Sequence, residues 1–274
     1  MQVNRTVFIS ISAPLFLIAV TCRGQVGQSA RAPDAVQARS FIQDAHGAII
    51  RGDVSEKQIA LVLTGDEFGD GGTHILDILQ KRKIHASFFL TGNFYSNQAF
   101  QTLIASLKNS GHYLGAHSDK HLLYADWTKR DSLLVTEQEF KRDLLANYER
   151  MAKFGIKAAN APYFLPPYEW YNSTITKWTR QLGLQLVNFT PGTRSHADYT
   201  YPEMKGRYVS SETIYRSIMD FERNDPNGLN GFILLIHIGT DPRRTDKFYH
   251  RLDRLVKELT EKGYRFVTIN ELLM

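Results

Sequence analysis

The sequence has little of what marks several common protein classes. It contains one cysteine in 274 residues, so an intramolecular disulfide is excluded. Its 33 Lys and Arg nearly balance 28 Asp and Glu, and without residues 1–25 the balance is 31 against 28, a formal net charge of +3. This mild charge argues against nucleic acid or an anionic membrane surface as a partner. Glycine and proline, 19 and 9 in number, are too few for a collagen-like or low-complexity chain.

The chain also lacks a hydrophobic run long enough to span a membrane. The apolar run at 7–20 has 14 residues, and Pro14 interrupts it, whereas a spanning helix needs roughly 20. Arg5 precedes the run and small residues follow it, which is typical of a secretory signal peptide covering residues 1–22. Cys22 leaves open a lipoprotein-type signal with a lipid anchor on this residue. Both alternatives predict export, to the periplasm, the medium or the cell envelope.

The remaining chain is predicted to be a linker at 23–46 and one α/β domain at 47–274. Short apolar runs alternate with amphipathic segments whose apolar residues lie three or four apart. No Gly-rich dinucleotide loop follows the first run, because the glycines at 65–72 are interleaved with acidic residues. The alternation predicts a closed or nearly closed barrel of about seven parallel strands. The predicted strands are 59–63, 86–90, 113–116, 157–161, 184–189, 232–236 and 266–269, and the predicted helices are 75–83, 99–110, 137–154, 173–182, 212–223 and 246–262.

Several predicted helix ends carry specific signals. Thr136 and Glu139 form a capping-box pattern at the start of one helix. Glycines follow four of the helices, where a left-handed residue commonly ends a helix. These stop signals are Gly111, Gly155, Gly183 and Gly263.

Polar residues cluster where the predicted strands end. In a parallel barrel the functional residues gather at the carboxyl ends of the strands. Two imidazoles and a carboxylate on one rim suit a catalytic divalent metal, with zinc as the first choice, although other divalent ions accept the same ligands. The residues concerned are Asp66 and Glu67 after the first strand, His117 and His121 after the third, and His237 at the end of the sixth.

The loop after the fourth strand is rich in aromatic residues. Tyr168 and Trp170 are candidates for binding a sugar face, and Pro167 is a third substrate-binding candidate, while the alternative for any aromatic cluster is core packing. Glu169 in this loop is either a substrate contact or a cap. His112 and His196 are interpreted as structural or solvated residues.

Four segments together resemble a known family. Residues 57–67, 117–121, 164–168 and 234–237 resemble, in this order, the motifs of the polysaccharide deacetylases, carbohydrate esterase family four. Residues 262–269 resemble the last strand of that family. The resemblance implies a distorted (β/α) barrel and a secreted, metal-dependent hydrolase. Such an enzyme removes N-acetyl or O-acetyl groups from a carbohydrate polymer or oligosaccharide.

The resemblance also implies a role for each matched residue. The catalytic roles would be a base that activates water, a backbone N–H that binds the oxyanion and an acid that protonates the leaving group. By resemblance, the base is Asp66, the oxyanion donor is Tyr168, the acid is His237, and the metal ligands are Glu67, His117 and His121.

The sequence departs from the family pattern at two supporting positions. Leu165 stands where the family has an arginine that pairs with the base, and residues 188–196 lack the aspartate that orients the acid histidine. Asp198 and Asp241 are alternative sources of that carboxylate. These departures leave two other functions open: a glycan-binding descendant without turnover, and a metal-dependent amidase that acts on a non-sugar amide.

The N-terminal pattern yields the first testable prediction. The mature protein is expected to start between about Cys22 and Ala30, since the signal segment is removed on export. Mass spectrometry of the exported protein gives its N-terminus, and a diacylglyceryl group on Cys22 would identify the lipid-anchored form. An intact Met1 on exported protein would contradict the signal peptide.

Overall fold

The structure, a computed structural model, describes residues 40–274. The predicted signal peptide, the Cys22 anchor and most of the linker at 23–46 lie outside these residues. Among residues 40–274, no helix is both long enough and apolar enough to cross a membrane.

Nine strands of the described residues form one strongly curled sheet in the order β1-β2-β8-β3-β4-β5-β6-β7, with β9 beside β3. The strands β3 to β9 are parallel, whereas β1 and β2 pair antiparallel at one edge. The predicted barrel of about seven parallel strands is therefore confirmed. The strands are β1 (Ile42–Gln43), β2 (Ile49–Arg51), β3 (Gln58–Gly65), β4 (Ser87–Leu90), β5 (Tyr113–Ala116), β6 (Tyr163–Phe164), β7 (Gln185–Leu186), β8 (Phe232–His237) and β9 (Arg265–Val267).

Strand β3 is the centre of the sheet. All eight of its residues are buried, which explains its nearly continuous apolar sequence, since a parallel strand covered on both faces has no solvent side. One edge pairs with β8, from Ile59 opposite Phe232 to Thr64 opposite His237. The other edge pairs with β9 at its start and with β4 at its end.

The curled sheet closes on itself through a short contact. Ile49 of β2 forms an isolated parallel bridge with Val187, directly after β7. The backbone N–H of Asn188 donates to the carbonyl oxygen of Ile49 at 2.9 Å. The two ends of the strand order thus meet, and the sheet is a distorted barrel.

Helices connect most of the parallel strands, as a barrel requires. Thr136 and Glu139 form the predicted capping box, with the Thr136 N–H donating to Glu139 Oε2 at 2.8 Å. All four predicted stop glycines have positive φ, between 70° and 90°. The helices are α1 (Gly72–Arg82), α2 (Gly92–Ser96), α3 (Gln101–Asn109), α4 (Glu137–Ala152), α5 (Ser173–Gln181), α6 (Ser211–Asn224), α7 (Leu252–Glu261) and α8 (Ile269–Leu273).

Two predicted elements differ from the structure. The strand at 157–161 is wrong: Ala158–Asn160 is a short 3-10 turn, and β6 follows it at Tyr163–Phe164. The pairing of Phe164 with Ala116 of β5 fixes this position, and sequence reasoning had no access to the pairing. The last long helix begins at Leu252 rather than 246, because a 3-10 turn at Phe248–Arg251 precedes it.

A buried asparagine ties helix α4 to the strand ends that carry the site. Asn147 is fully buried, and its Oδ1 accepts from the backbone N–H of His117 at 2.9 Å. Its Nδ2 donates to the carbonyl oxygen of Leu90, the last residue of β4, at 3.2 Å. One side chain therefore satisfies two backbone groups that the ends of β4 and β5 leave without a ladder partner.

This role predicts the effect of Asn147→Ala. The substitution leaves a buried N–H and a buried carbonyl unpaired, so the free energy of unfolding should fall by about 2 kcal/mol. Chemical denaturation of the variant and the parent protein measures the change. Glu149→Ala, at an exposed position of the same helix, is the matched control. Equal stability of the two variants would contradict the role of Asn147.

Candidate active site

The predicted site residues meet at the carboxyl ends of the strands. The pairing of β3 with β8 sets Thr64 opposite His237, and Asp66 follows two residues later. A cavity of about 270 Å³ opens at this rim. Its walls include the five predicted residues Asp66, Glu67, His117, His121 and His237.

Asp66 is held by neutral hydrogen-bond donors. Its Oδ1 accepts from Thr91 Oγ1 at 2.7 Å and from Asn93 Nδ2 at 3.1 Å. Its Oδ2 lies 3.9 Å from His121 Nδ1. Leu165 is fully buried in the core and lines neither cavity of the cleft. In this chain the hydrogen-bond donors to Asp66 are a hydroxyl and an amide, and the side chain at position 165 supplies no cation.

The ring of His117 has a defined tautomer. Its Nδ1 lies 2.7 Å from the carbonyl oxygen of Leu165. A carbonyl oxygen can only accept, so Nδ1 carries the proton and Nε2 keeps its lone pair. Burial, with a smaller contribution from His121, holds the pKa of His117 well below its usual range. His117 is therefore a neutral imidazole with Nε2 available as a ligand.

His121 reaches the same cavity through a bent loop rather than a helix. Ser118 and His121 both have positive φ, 72° and 54°, and the N–H of His121 donates to Ser118 Oγ at 2.8 Å. The bend brings the ring centroids of His117 and His121 to 5.1 Å. Burial lowers the pKa of His121 as well, although the Asp66 charge opposes this. Both imidazoles are thus in the neutral form that binds metals.

The side chains of this cavity are of the types that bind a divalent metal, but they do not converge on one point. Among residues 40–274, no three His, Cys, Asp or Glu side chains converge tightly enough to hold an ion as they stand. Glu67 is exposed and lines the cavity, and within the described residues its carboxylate makes no hydrogen bond or ion pair. Its side chain is therefore not held by a protein partner. Two neutral imidazoles with Asp66 or Glu67 match the ligand types that zinc and related ions accept.

His237 is paired with a buried carboxylate. Its Nδ1 lies 2.6 Å from Asp198 Oδ1, and its backbone N–H donates to Asp198 Oδ2 at 2.9 Å. Of the two carboxylates considered from the sequence, the structure places Asp198 at the histidine, whereas Asp241 pairs with Arg243. Burial lowers the pKa of His237, but the charge and the hydrogen bond of Asp198 outweigh it, so the pKa lies above its ordinary value.

Exposed aromatic side chains extend the cleft. A second cavity, of about 630 Å³, shares His121, Tyr199 and His237 with the first. Its other walls include Trp127, which is 54% exposed, and Tyr168, which is 44% exposed. The Tyr168 ring packs on His121 at a centroid distance of 4.4 Å.

The backbone N–H of Tyr168 donates to no acceptor among the described residues. The Trp170 ring lies 5.3 Å from that of Trp127 and 4.0 Å from the Arg130 guanidinium, and its N–H donates to the carbonyl oxygen of Asp126 at 3.2 Å. Pro167 is buried. Neither Pro167 nor Trp170 lines the two cavities, so substrate binding by these residues stays a prediction.

Trp127 and Tyr199 were not identified as cleft residues from the sequence, and Asp198 was considered only as one of two alternatives for the carboxylate beside His237. Trp127 and Tyr199 lie in segments without hydrophobic periodicity, so no pattern indicates that they face the cleft. Asp198 lies in a 3-10 turn at Ser195–Tyr199, whose position depends on its contact with β8. The structural reading of two other histidines agrees with their contacts: His112 accepts from the N–H of Ala86 at 3.3 Å, and His196 stacks on Phe189 at 4.4 Å.

Comparison with known proteins gives the family. Residues 53–187 match the model of the polysaccharide deacetylase domain. The chain is 25% identical over 242 residues to the peptidoglycan-N-acetylmuramic acid deacetylase PdaA of Bacillus subtilis, covering 88% of this chain and 81% of that protein. It is 27% identical over 220 residues to a peptidoglycan-N-acetylglucosamine deacetylase of Bacillus cereus, covering 80% and 89%. The chain belongs to the polysaccharide deacetylase family.

Solved structures of polysaccharide deacetylases share the fold. The structure of Bacillus subtilis PdaA, a family 4 carbohydrate esterase, superposes with a TM-score of 0.62 at 24% identity, covering 83% of this chain and 85% of that one. A CE4 family pseudoenzyme from Bacillus anthracis superposes with a TM-score of 0.64 at 18% identity, covering 84% and 70%. The fold thus occurs both in proteins named as deacetylases and in a protein described as a pseudoenzyme.

The contact between Asp198 and His237 yields a prediction that does not depend on turnover. Asp198→Asn removes the charge that holds the pKa of His237 up, so burial should then bring this pKa below its ordinary value. NMR titration of the histidine ring protons measures the shift, with the His237 signals assigned from the spectrum of His237→Ala. Asp241→Asn is the matched control and should leave the pKa of His237 unchanged. A pKa that stays raised in Asp198→Asn would contradict the assigned cause.

Proposed function

We propose that this polysaccharide deacetylase family member is a metal-dependent hydrolase that removes N-acetyl groups from an extracellular glycan. The observation that carries the proposal is the placement of Asp66 and His237 on the walls of one cleft, with the buried Asp198 bonded to the His237 ring. A carboxylate held by neutral donors can take a proton, and an imidazole with a raised pKa can give one. Amide hydrolysis needs both, because water must lose a proton and the leaving nitrogen must gain one.

Each of the residues involved then has a defined role in the reaction. Asp66 takes the proton of the attacking water as its oxygen bonds to the acetyl carbon. The N–H of Tyr168 donates to the oxyanion that forms on the carbonyl oxygen. His237 gives its proton to the amide nitrogen as the carbon–nitrogen bond breaks, and acetate and a free amine leave. Asp198 positions the His237 ring and keeps it charged until that step.

Metal dependence is proposed because two histidines of the cleft are in the protonation state that binds metals. His117 and His121 are neutral, and the carbonyl of Leu165 orients His117 with Nε2 unprotonated. Glu67 or Asp66 would add the carboxylate ligand. A divalent ion bound there, zinc by preference, supplies a Lewis acid that polarises the acetyl carbonyl and acidifies water.

The extracellular part of the proposal joins the N-terminal sequence to the relatives. Peptidoglycan, which the names of both relatives specify, lies outside the cytoplasm. The signal-like segment at 1–22 supports export of this chain to the same side, as a periplasmic, secreted or lipid-anchored protein. Trp127 and Tyr168 offer exposed aromatic faces on which a sugar ring of such a glycan can pack.

A second candidate function is glycan binding without turnover. The pseudoenzyme of Bacillus anthracis with the same fold and the open arrangement of donors among residues 40–274 favour this alternative. No specific observation favours the third alternative, an amidase that acts on a non-sugar amide, although the same residues could hydrolyse such an amide.

Acetate release tests the proposed function. Protein dialysed against zinc should release acetate from N-acetylglucosamine oligomers or peptidoglycan, and His237→Ala should lower kcat by roughly 10²–10⁴-fold, the usual scale of acid–base catalysis. The loss should be smaller on an aryl acetate, whose leaving group needs no proton. His250→Ala, an exposed histidine that lines neither cavity, is the matched control.

The same preparations test the metal. The double variant His117→Ala/His121→Ala should retain much less zinc than the parent after dialysis, measured by elemental analysis. Undiminished zinc in this variant would falsify the ligand assignment. Glycan binding without acetate release in the zinc-loaded parent would favour the second candidate function.

A further inference from the structure

Glu169 has no assigned role, yet it lines the cleft. It is half-buried in the wall of the 630 Å³ cavity, which Tyr168 and His237 also line. Within residues 40–274 its carboxylate accepts no hydrogen bond and forms no ion pair. Arg207 lines the same cavity without pairing with it. A carboxylate that is removed from water is normally paired. The Glu169 carboxylate has no such partner among the described residues.

The backbone at Glu169 would suit glycine better. Tyr168 and Glu169 are consecutive residues in the left-handed region, with φ of 59° and 53°, which residues with a Cβ adopt at a cost. Main-chain contacts hold this shape: the N–H of Glu169 donates to the carbonyl of Pro166 at 3.1 Å, and its own carbonyl accepts from Asn188 Nδ2 at 3.0 Å. The turn therefore does not need the carboxylate.

The carboxylate also has an unfavourable electrostatic environment. Burial raises the pKa of Glu169 to about 7, and the charge of Asp198 adds to this while His237 opposes it. Burial of the carboxylate works against stability, and no side-chain contact of Glu169 among the described residues offsets it, whereas the strained backbone is held by its own hydrogen bonds. Such uncompensated features concentrate at functional sites.

We propose that the Glu169 carboxylate binds a hydrogen-bond donor of the glycan, a hydroxyl or an amino group, beside the nitrogen that His237 protonates. This inference rests on the proposed function in taking a glycan as the ligand. Asp66 and Glu67 line one cavity of the cleft and Glu169 lines the other, with His237 common to both. Glu169 thus lines the part of the cleft that Asp66 does not line, and His237 belongs to both parts. A sugar presents several donors there, and they replace the water that the carboxylate loses.

Two substitutions and one control test the inference. Glu169→Gln keeps the size of the side chain and removes its charge, and Glu169→Gly removes the carboxylate and the backbone strain. The control is Lys83→Gly, which relieves the same left-handed strain (φ 55°) at the end of α1 and lines neither cavity. Both glycine variants should melt at a higher temperature than the parent, whereas only the Glu169 variants should bind glycan less well.

Titration calorimetry with metal-depleted protein measures binding without turnover. The probes are a pentamer of N-acetylglucosamine, which offers hydroxyls, and the corresponding pentamer of glucosamine, which also offers ammonium groups. The expected rise in Kd is about 10- to 100-fold, the scale of a hydrogen bond to a charged group. A similar loss for both pentamers identifies a hydroxyl as the donor, and a larger loss for the glucosamine pentamer identifies an amino group.

The inference is overturned if neither Glu169 variant changes Kd for either pentamer, or if the parent protein binds neither. Acetate release separates this outcome from the proposed function. Binding that depends on Glu169 in a protein that releases no acetate supports the inference and contradicts the deacetylase. Acetate release with binding independent of Glu169 supports the deacetylase and contradicts the inference.

Discussion

The parallel pairing of β3 with β8 is the constraint on which the site depends. Thr64 lies opposite His237 in this pairing, and Asp66 follows Thr64 by two residues. A slip of one residue would turn every side chain of one strand to the other face of the sheet. The register is secure because both strands are buried and paired along most of their length. Asp66 and His237 therefore keep their separation without any direct contact between them.

Burial acts on all the histidines of the cleft, and their partners decide their charge. His117 faces a carbonyl, which fixes a tautomer but supplies no full negative charge, so burial prevails and the ring is neutral. His237 faces the carboxylate of Asp198, whose charge outweighs burial. One cleft thus holds a neutral imidazole of the kind that binds metals and a second imidazole whose pKa is raised by a carboxylate.

The sequence predicted those features that depend on the pattern of residues close together in the chain. Continuous apolar runs ending in polar residues predicted both the strands and the rim positions of Asp66, His117 and His237. The capping box at Thr136 and the glycine stops were equally local. The strand at 157–161 was misplaced because β6 has two residues, and its position depends on β5 rather than on its own composition. Asp198, Trp127 and Tyr199 reach the cleft through loops whose paths are set by distant contacts.

The two departures from the family pattern have different structural consequences. Leu165 contributes its carbonyl oxygen to His117, and any side chain at this position can make that contact, since it belongs to the backbone. Leucine at this position is therefore compatible with an oriented His117, and Asp66 has Thr91 and Asn93 as its donors instead of a cation.

The missing fourth-motif aspartate is a different case, because the proposed acid role of His237 calls for a carboxylate at Nδ1, and no backbone group carries a full negative charge. Asp198 supplies this group from a turn that packs against β8. The proposed reaction requires a negative charge beside the His237 ring, not an aspartate at a fixed position in the chain. Asp198 meets this requirement because the fold brings it to His237.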